Sequence, residues 1–324
     1  DRAAGPVAPG ALTFDPNEGT QGDALGWIVE DHHLRRALVD AVAASDITRQ
    51  DGTGTATVTR TGSDAVVTCA SASPVMASVI VACDGRNSSA ARQAGIRYLR
   101  WPYDQMGLAS AISHAGDHGG AAHQAFFPGG PFAVLPLKGR RSALVWSERT
   151  AVARRLRDLD DAAYLREVAS RIGGRLGDLT AIGRRWVYPL GLALATRFCA
   201  PRLVLAGDAA HGVHPIAGQG LNMGLRDVAA LTEVLTDAAR LGEDIGSTPV
   251  LTRYERWRRF DATAMSLGMD ALNRIFSTDA APLQALRNLG LAAVSNMPGA
   301  RRQFMAEASG SAGSVPKLLT GRPF

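Results

Sequence analysis

The run Val204-Leu-Ala-Gly-Asp-Ala-Ala-His-Gly-Val-His-Pro-Ile-Ala-Gly-Gln-Gly-Leu-Asn222 constrains this chain more than any other segment. It reads as a buried strand over Leu203 to Ala206, a Gly207-Asp208 turn and a loop stiffened by Pro215. Gly218 and Gly220 then open a helix from Leu221. A strand that delivers a carboxylate onto a glycine loop at a helix N-terminus suits a ligand with a polyol chain and a flat polar ring. Asp208 can accept hydrogen bonds from hydroxyls, and the two glycines let the backbone approach a large planar group. The helix start offers unpaired N–H groups and positive potential to an electron-rich ring edge.

Other readings of the run are weaker. Gly218-x-Gly220-x-x-x-Gly224 lacks the G-x-G-x-x-G spacing of a dinucleotide phosphate loop, and no short strand-to-loop step precedes it. Asp208, His211 and His214 could be pictured as metal ligands, but Pro215 stops regular helix there and no further ligand set is visible. A helix start that uses glycine only for packing does not explain Gly-Asp, His-Pro and Gly-Gln-Gly-Leu-Asn in one run.

With 324 residues, 46% of them hydrophobic, the chain can bury a large core and is expected to hold two domains. The formal charge is +5, yet only Lys138 and Lys317 are lysines among 35 basic residues. The arginines fall in small groups interspersed with acids, which argues for solvated helix faces and anion contacts rather than nucleic-acid binding. Cys69, Cys83 and Cys199 are odd in number and lack metal spacing, as expected of a reducing cytoplasm. No apolar stretch approaches the roughly 18 residues of a spanning helix.

Pattern and punctuation give a coarse map. Short strands are expected around Ala11 to Phe14 and over Trp27 to Val29, then a helix from Asp31 to Ala44 with Asp31 as its N-cap. Alternation over Thr55 to Arg60 and Ala65 to Ala70 predicts a hairpin or meander. The apolar run Val79 to Ala82 reads as a buried parallel strand that ends in Asp84-Gly85, followed by a short helix to Ala94. Residues 106–113, 121–127, 131–137 and 142–147 read as an antiparallel meander. A helix over 160–172, strands over 180–188 and 192–198, and a helical region over 249–308 broken by Pro282 and Pro298 complete the chain. His114, His118 and His123 are expected at the surface, and Phe126 and Phe127 suit either a substrate wall or the core.

With Asp84-Gly85 and Gly207-Asp208 both in place, the chain resembles the flavin-dependent aromatic hydroxylases of the para-hydroxybenzoate hydroxylase fold, and more narrowly the ubiquinone-biosynthesis hydroxylases. Gly26-Trp-Ile-Val-Glu30, Val81-Ala-Cys-Asp-Gly-Arg-Asn-Ser88, Tyr188-Pro-Leu190, His214-Pro-Ile-Ala-Gly-Gln-Gly-Leu-Asn222 and Arg226-Asp227-Val228 carry the likeness, with Arg302-Gln-Phe-Met305 near the end.

The resemblance implies an α/β protein. Its FAD-binding, Rossmann-like domain would occupy residues 1–103 and 190–240 and lack its first βαβ unit. An antiparallel-sheet substrate domain over 104–189 interrupts it, and residues 241–324 form a C-terminal helical region. The family's N-terminal G-x-G-x-x-G unit has no counterpart here, so a truncated record is the expected explanation. FAD is implied as cofactor, with NAD(P)H and dioxygen as co-substrates. Asp208, after Gly207, would bind the ribityl hydroxyls. Gly218, Gln219, Gly220, Leu221 and Asn222 would lie along the isoalloxazine edge near Pro215. Asp84 and Gly85 would support the pyrophosphate region, and Arg35 is a candidate for the phosphates. The implied reaction hydroxylates the ring of a small prenylated phenol through a flavin hydroperoxide, so no protein nucleophile is expected and no catalytic side chain is assigned. A cytoplasmic location is implied, with peripheral contact at the inner membrane or in a quinone-synthesis complex. A same-fold flavin oxidoreductase without hydroxylation and a flavin-free lipid-binding scaffold are the alternatives.

Overall fold

Apolar runs separated by glycine turns build the two compact units of the computed structural model, which describes residues 26–54, 56–276 and 314–323. One unit comprises Asp1–Val39, Tyr103–Leu190 and Ala271–Ala312, the other Asp40–Pro102, Gly191–Asp270 and Gly313–Phe324. The expected strand at Ala11 to Phe14 and the stretch containing Pro282, Pro298 and Arg302 to Met305 lie outside the described residues.

Helix α1 (Asp31–Ala43) begins at Asp31 itself, whose carboxylate pairs with Arg35 at 2.6 Å, one turn on. Trp27 to Val29 form no strand and are exposed. Three apolar residues suggest a strand, but among the described residues no neighbouring strand supplies ladder hydrogen bonds to them. Strands β1 (Ala56–Arg60) and β2 (Ala65–Cys69) pair antiparallel as the alternation predicts. A third strand, β3 (Ala72–Ala77), joins them although Pro74 lies within it; β3 is an edge strand, where a missing N–H is tolerated.

Strand β4 (Ile80–Ala82) precedes the one-and-a-half-turn helix α2 (Ser89–Gln93). The meander follows. It starts earlier than expected, because β5 (Tyr98–His114) runs for 17 residues. Strands β6 (His123–Phe127), β7 (Gly130–Leu137) and β8 (Arg141–Arg149) complete it, in the order β5-β8-β7-β6. Leu108, Ile112, Phe132, Val134, Leu144 and Trp146 share one face of this sheet. They form a core with Leu156 of α3 (Thr150–Asp158) and with Tyr164 and Val168 of α4 (Asp161–Ile172). Helix α3 escapes the sequence pattern because Arg154, Arg155 and Arg157 mask a stripe only nine residues long. Asp160 caps α4 by accepting from Ala163 N at 2.7 Å, and Gly173, at φ 70°, ends it.

The two strands expected over 180–188 and 192–198 are one, β9 (Leu179–Ala195), since neither Pro189 nor Gly191 breaks it. The chain then enters a second sheet through β10 (Cys199–Ala200) and β11 (Leu203–Leu205), ordered β10-β11-β4. Strands β11 and β4 are parallel, as the unbroken apolar runs predict, with Leu203 opposite Ile80 and Leu205 opposite Ala82. A two-residue strand, β12 (His211–Gly212), pairs with the end of β9. Helices α5 (Gln219–Arg240) and α6 (Thr248–Phe276) follow. Tyr254 of α6 is fully buried and donates to Leu205 O at 2.9 Å, which fixes the helix to the central strand. Among the described residues no helix is long and apolar enough to cross a membrane.

Candidate functional site: two loops at the ends of parallel strands

Parallel pairing of β4 and β11 brings the loops that follow them side by side, at the strand ends where open α/β sheets bind ligands. Gly207 sits at φ 61°, and a Cβ on Gly224 would lie 3.4 Å from its Cα, so the turn and helix α5 meet backbone to backbone. The next residue, Asp208, keeps 44% of its side chain exposed. Its Oδ2 accepts from Arg86 Nε at 3.1 Å, and Arg86 Nη2 donates to Val213 O at 2.9 Å.

Asp84 is turned toward the helix that follows it. Its Oδ2 accepts from Ser89 N at 2.7 Å and Ala90 N at 3.2 Å, while Ser88 Oγ accepts from Ala91 N at 2.9 Å. Burial opposes the Asp84 charge, but hydrogen bonds from Ser88, Ala90 and Ser89 outweigh it and hold the carboxyl below its usual range. The carboxylate thus caps α2, and Gly85 at φ 80° makes the turn.

Helix α5 starts at Gln219, two residues before Leu221, because Gly218 adopts the left-handed conformation and serves as N-cap. As a glycine, Gly218 brings no side chain of its own to cap that end. The first-turn N–H groups of Gly220 and Leu221 precede the first intrahelical bond, Asn222 N to Gly218 O, and are therefore offered to whatever lies in front of them. A Cβ on Gly218 would meet nothing within 4 Å, and one on Gly220 would meet only Val213 Cγ2 at 3.8 Å. Leu221 and Asn222 are exposed, Gln219 is buried, and Pro215 at φ −71° fixes the approach. An uncapped helix end beside a half-exposed carboxylate fits a flavin with its ribityl chain.

Behind the loops lies a network that the sequence reading missed. Asp227 is fully buried on α5, yet it accepts from Gly207 N at 2.9 Å, His211 Nε2 at 2.5 Å and Arg258 Nε at 2.8 Å. Spacing held the signal. Met223, Asp227, Ala230, Val234 and Ala238 form one helical stripe that is otherwise apolar, so an aspartate there needs partners. His211 thus serves Asp227 rather than a metal. His214, 1% exposed, is pushed down to about 4 by burial and by the Arg86 charge, against a smaller opposing pull from Asp270.

A model of the FAD-binding domain family matches residues 24–266. The chain belongs to this FAD-binding family. Ubiquinone hydroxylase UbiL of Rhodospirillum rubrum is 39% identical over 303 residues, covering 92% of this chain and 71% of that protein. The 3-demethoxyubiquinol 3-hydroxylase of Escherichia coli is 38% identical over 73% of this chain and 60% of its own. Human ubiquinone biosynthesis monooxygenase COQ6 is 34% identical, with 75% and 59% covered. The chain thus spans less than two thirds of those last two relatives. Among solved structures, the anhydrotetracycline hydroxylase OxyS from Streptomyces rimosus aligns with a TM-score of 0.65 at 20% identity, covering 89% of this chain and 58% of that one. That likeness establishes the fold, an α/β FAD-binding architecture with an antiparallel sheet.

In this FAD-binding family member the meander sheet has a second face, opposite its core. Register places Gly107 beside Ser147, Ala109 beside Val145, and Ala111 beside Ala143; Ala133 and Leu135 extend the row. The face is small and apolar. A Cβ on Gly107 would lie 2.7 Å from the Tyr188 ring and 3.1 Å from Leu190, so glycine lets that ring lie flat on the strand. Gly107→Ala is expected to cost about 1–3 kcal/mol through overpacking; chemical denaturation would measure it, and an unchanged midpoint would mean that the ring moves freely. Phe127 packs into the core, edge-on to Phe132, whereas Phe126 falls on the alternate face. His114 is not at the surface: its ring nitrogens bond Gly116 O and Ser142 Oγ, because a chain bend tucks it under the sheet edge. His118 is half-buried with Nε2 on Leu137 O and Gly139 O, and His123 is exposed. Arg35 is exposed and paired with Asp31.

Proposed function

We propose that the protein is a flavin-dependent monooxygenase that hydroxylates the ring of a prenylated phenol, a quinone precursor, with NAD(P)H and dioxygen as co-substrates. The observation that carries this reading is the uncapped start of α5 beside the half-exposed Asp208 carboxylate. FAD, when bound, supplies the transfer of reducing equivalents from NAD(P)H and the activation of dioxygen. The chain supplies binding and orientation. Asp208 accepts from the ribityl hydroxyls. The N–H groups of Gly220 and Leu221 offer positive potential to the electron-rich edge of the ring, with Gly218 to Asn222 lying along it, and Pro215 holds that loop in shape. The small apolar face of the sheet suits an apolar ring and tail. Three relatives named for hydroxylation or monooxygenation in the ubiquinone series support the substrate class.

Asp208→Ala in the full-length protein is expected to weaken FAD binding about 10- to 100-fold, the range for losing a charged acceptor. The fold should survive, since the side chain is half-exposed. Flavin fluorescence titration measures the loss, and wild-type retention of flavin by the variant removes the assignment. Labelled dioxygen separates the chemistry from that of an oxidoreductase of the same fold: hydroxylation places one 18O atom in the product. A colourless full-length protein would point instead to a flavin-free scaffold.

A further inference from the structure

Arg86 has no assigned role, yet it is the side chain that touches both parts of the loop pair. Its Nε holds Asp208 Oδ2 at 3.1 Å, and its Nη2 holds Val213 O at 2.9 Å. The stem lies across Gly212, where an added Cβ would come within 3.2 Å of Arg86 Cγ and Nε. Gly212 is buried and paired with Ala193, so the floor beneath the guanidinium is fixed backbone. Arg86 O in turn accepts from Arg100 Nη2 at 3.1 Å, which ties the residue's own backbone to β5. The guanidinium is therefore clamped at both ends rather than swinging in solvent.

That clamp acts on one carboxylate oxygen only. Oδ2 of Asp208 faces Arg86, while Oδ1 takes no hydrogen bond from any described residue. An unheld aspartate side chain on a turn would sample several rotamers and lose entropy on engaging a ligand. One held through Oδ2 presents Oδ1 in a single direction.

We infer that Arg86 is a positioning residue of the flavin site, which orients Asp208 through Oδ2 so that Oδ1 is pre-set to accept a ribityl hydroxyl. The inference rests on the FAD reading above and adds a residue that acts through Asp208 rather than on the cofactor. Arginine suits the task because its planar fork spans two acceptors, the carboxylate and the Val213 carbonyl, at once. Lysine can reach one of them.

The test is a double-mutant cycle on FAD affinity, with full-length protein and flavin fluorescence as the readout. Arg86→Met is expected to weaken FAD binding at least tenfold, and Arg86→Lys to recover part of that loss. In an Asp208→Asn background, Arg86→Met should change affinity less than twofold, since the group through which it acts has lost its charge. Gly212→Ala, which crowds the guanidinium without altering charge, should weaken FAD binding in the wild type and have little effect in Arg86→Met. Thermal melts keep folding separate, and the Gly212→Ala and Arg86→Lys arms carry the test if Arg86→Met does not fold. Wild-type affinity in Arg86→Met, or an equal penalty in both Asp208 backgrounds, overturns the inference and leaves the FAD reading standing. A wild-type protein that fails to take up FAD overturns the reading itself.

Discussion

Replacing Asp227 with alanine should destabilise the protein by about 3–5 kcal/mol, the usual cost of breaking a buried ion pair on one side. The residue is 0% exposed and its partner Arg258 1% exposed. Without the carboxylate, the guanidinium keeps, among the described residues, only Asp261, at 2.7 Å from Nη1, which is a third exposed. Fully buried His211 Nε2 and part-buried Gly207 N would each lose an acceptor, and an unsatisfied buried donor costs about 1–3 kcal/mol by itself. Urea denaturation would record the drop as a lower midpoint at unchanged slope. The pair can be tested further: removing both charges, as Asp227→Leu with Arg258→Met, should cost less than either single change, because neither charge is then stranded. A double variant weaker than both singles would show that the network stabilises through packing and not through compensation of charge. Gly207 precedes Asp208, so Asp227→Ala should also loosen the turn that aims that carboxylate.

Stability should fall by about 3 kcal/mol as pH drops from neutral toward 4, through His214 alone. In the folded protein this imidazole is held to about 4, against 6.5 for an ordinary histidine. Burial is the main cause and the Arg86 charge adds to it; Asp270 pulls weakly the other way. The folded pKa lies below the unfolded one, so as pH falls the unfolded chain takes up its proton first. The contribution is complete above about 6.5, declines through the interval, and is gone once pH passes the folded value. Urea midpoints at about pH 7 and pH 4.5, for wild type and His214→Gln, isolate this residue from the carboxylates that titrate nearby. The variant should lose distinctly less stability than wild type over that range. Parallel losses would mean that His214 is solvated in solution. Its neighbour Pro215 leads into the loop proposed to hold flavin, so under that proposal acid-induced opening here should release flavin before the rest of the molecule unfolds.

Sequence reading went furthest where chemistry is local. The turn at Gly207-Asp208, the glycines that open α5 and the buried strands β4 and β11 follow from residue type and spacing over a few positions. It stopped where partners come from far along the chain. Asp84 and Asp208 look alike in sequence, each beside a glycine after an apolar run. Only the fold shows that Asp84 folds back onto its own helix while Asp208 meets Arg86, 122 residues away. His114 read as a surface residue because its bonding to Ser142 requires two strands of the meander to be placed together. Strands β5 and β9 were cut short for a related reason. Proline and glycine are breakers by local rule, but a paired neighbour can carry a strand through them.

The amino-acid order by itself determined the α/β class and the strand, turn and glycine loop that set Asp208 ahead of α5, since each depends on backbone conformations that nearby residues permit or forbid. Tertiary structure alone decided which charged groups are buried together and which remain open to a ligand. Desolvation and hydrogen-bond partnership belong to the packed assembly of distant segments, and no short stretch of chain encodes them.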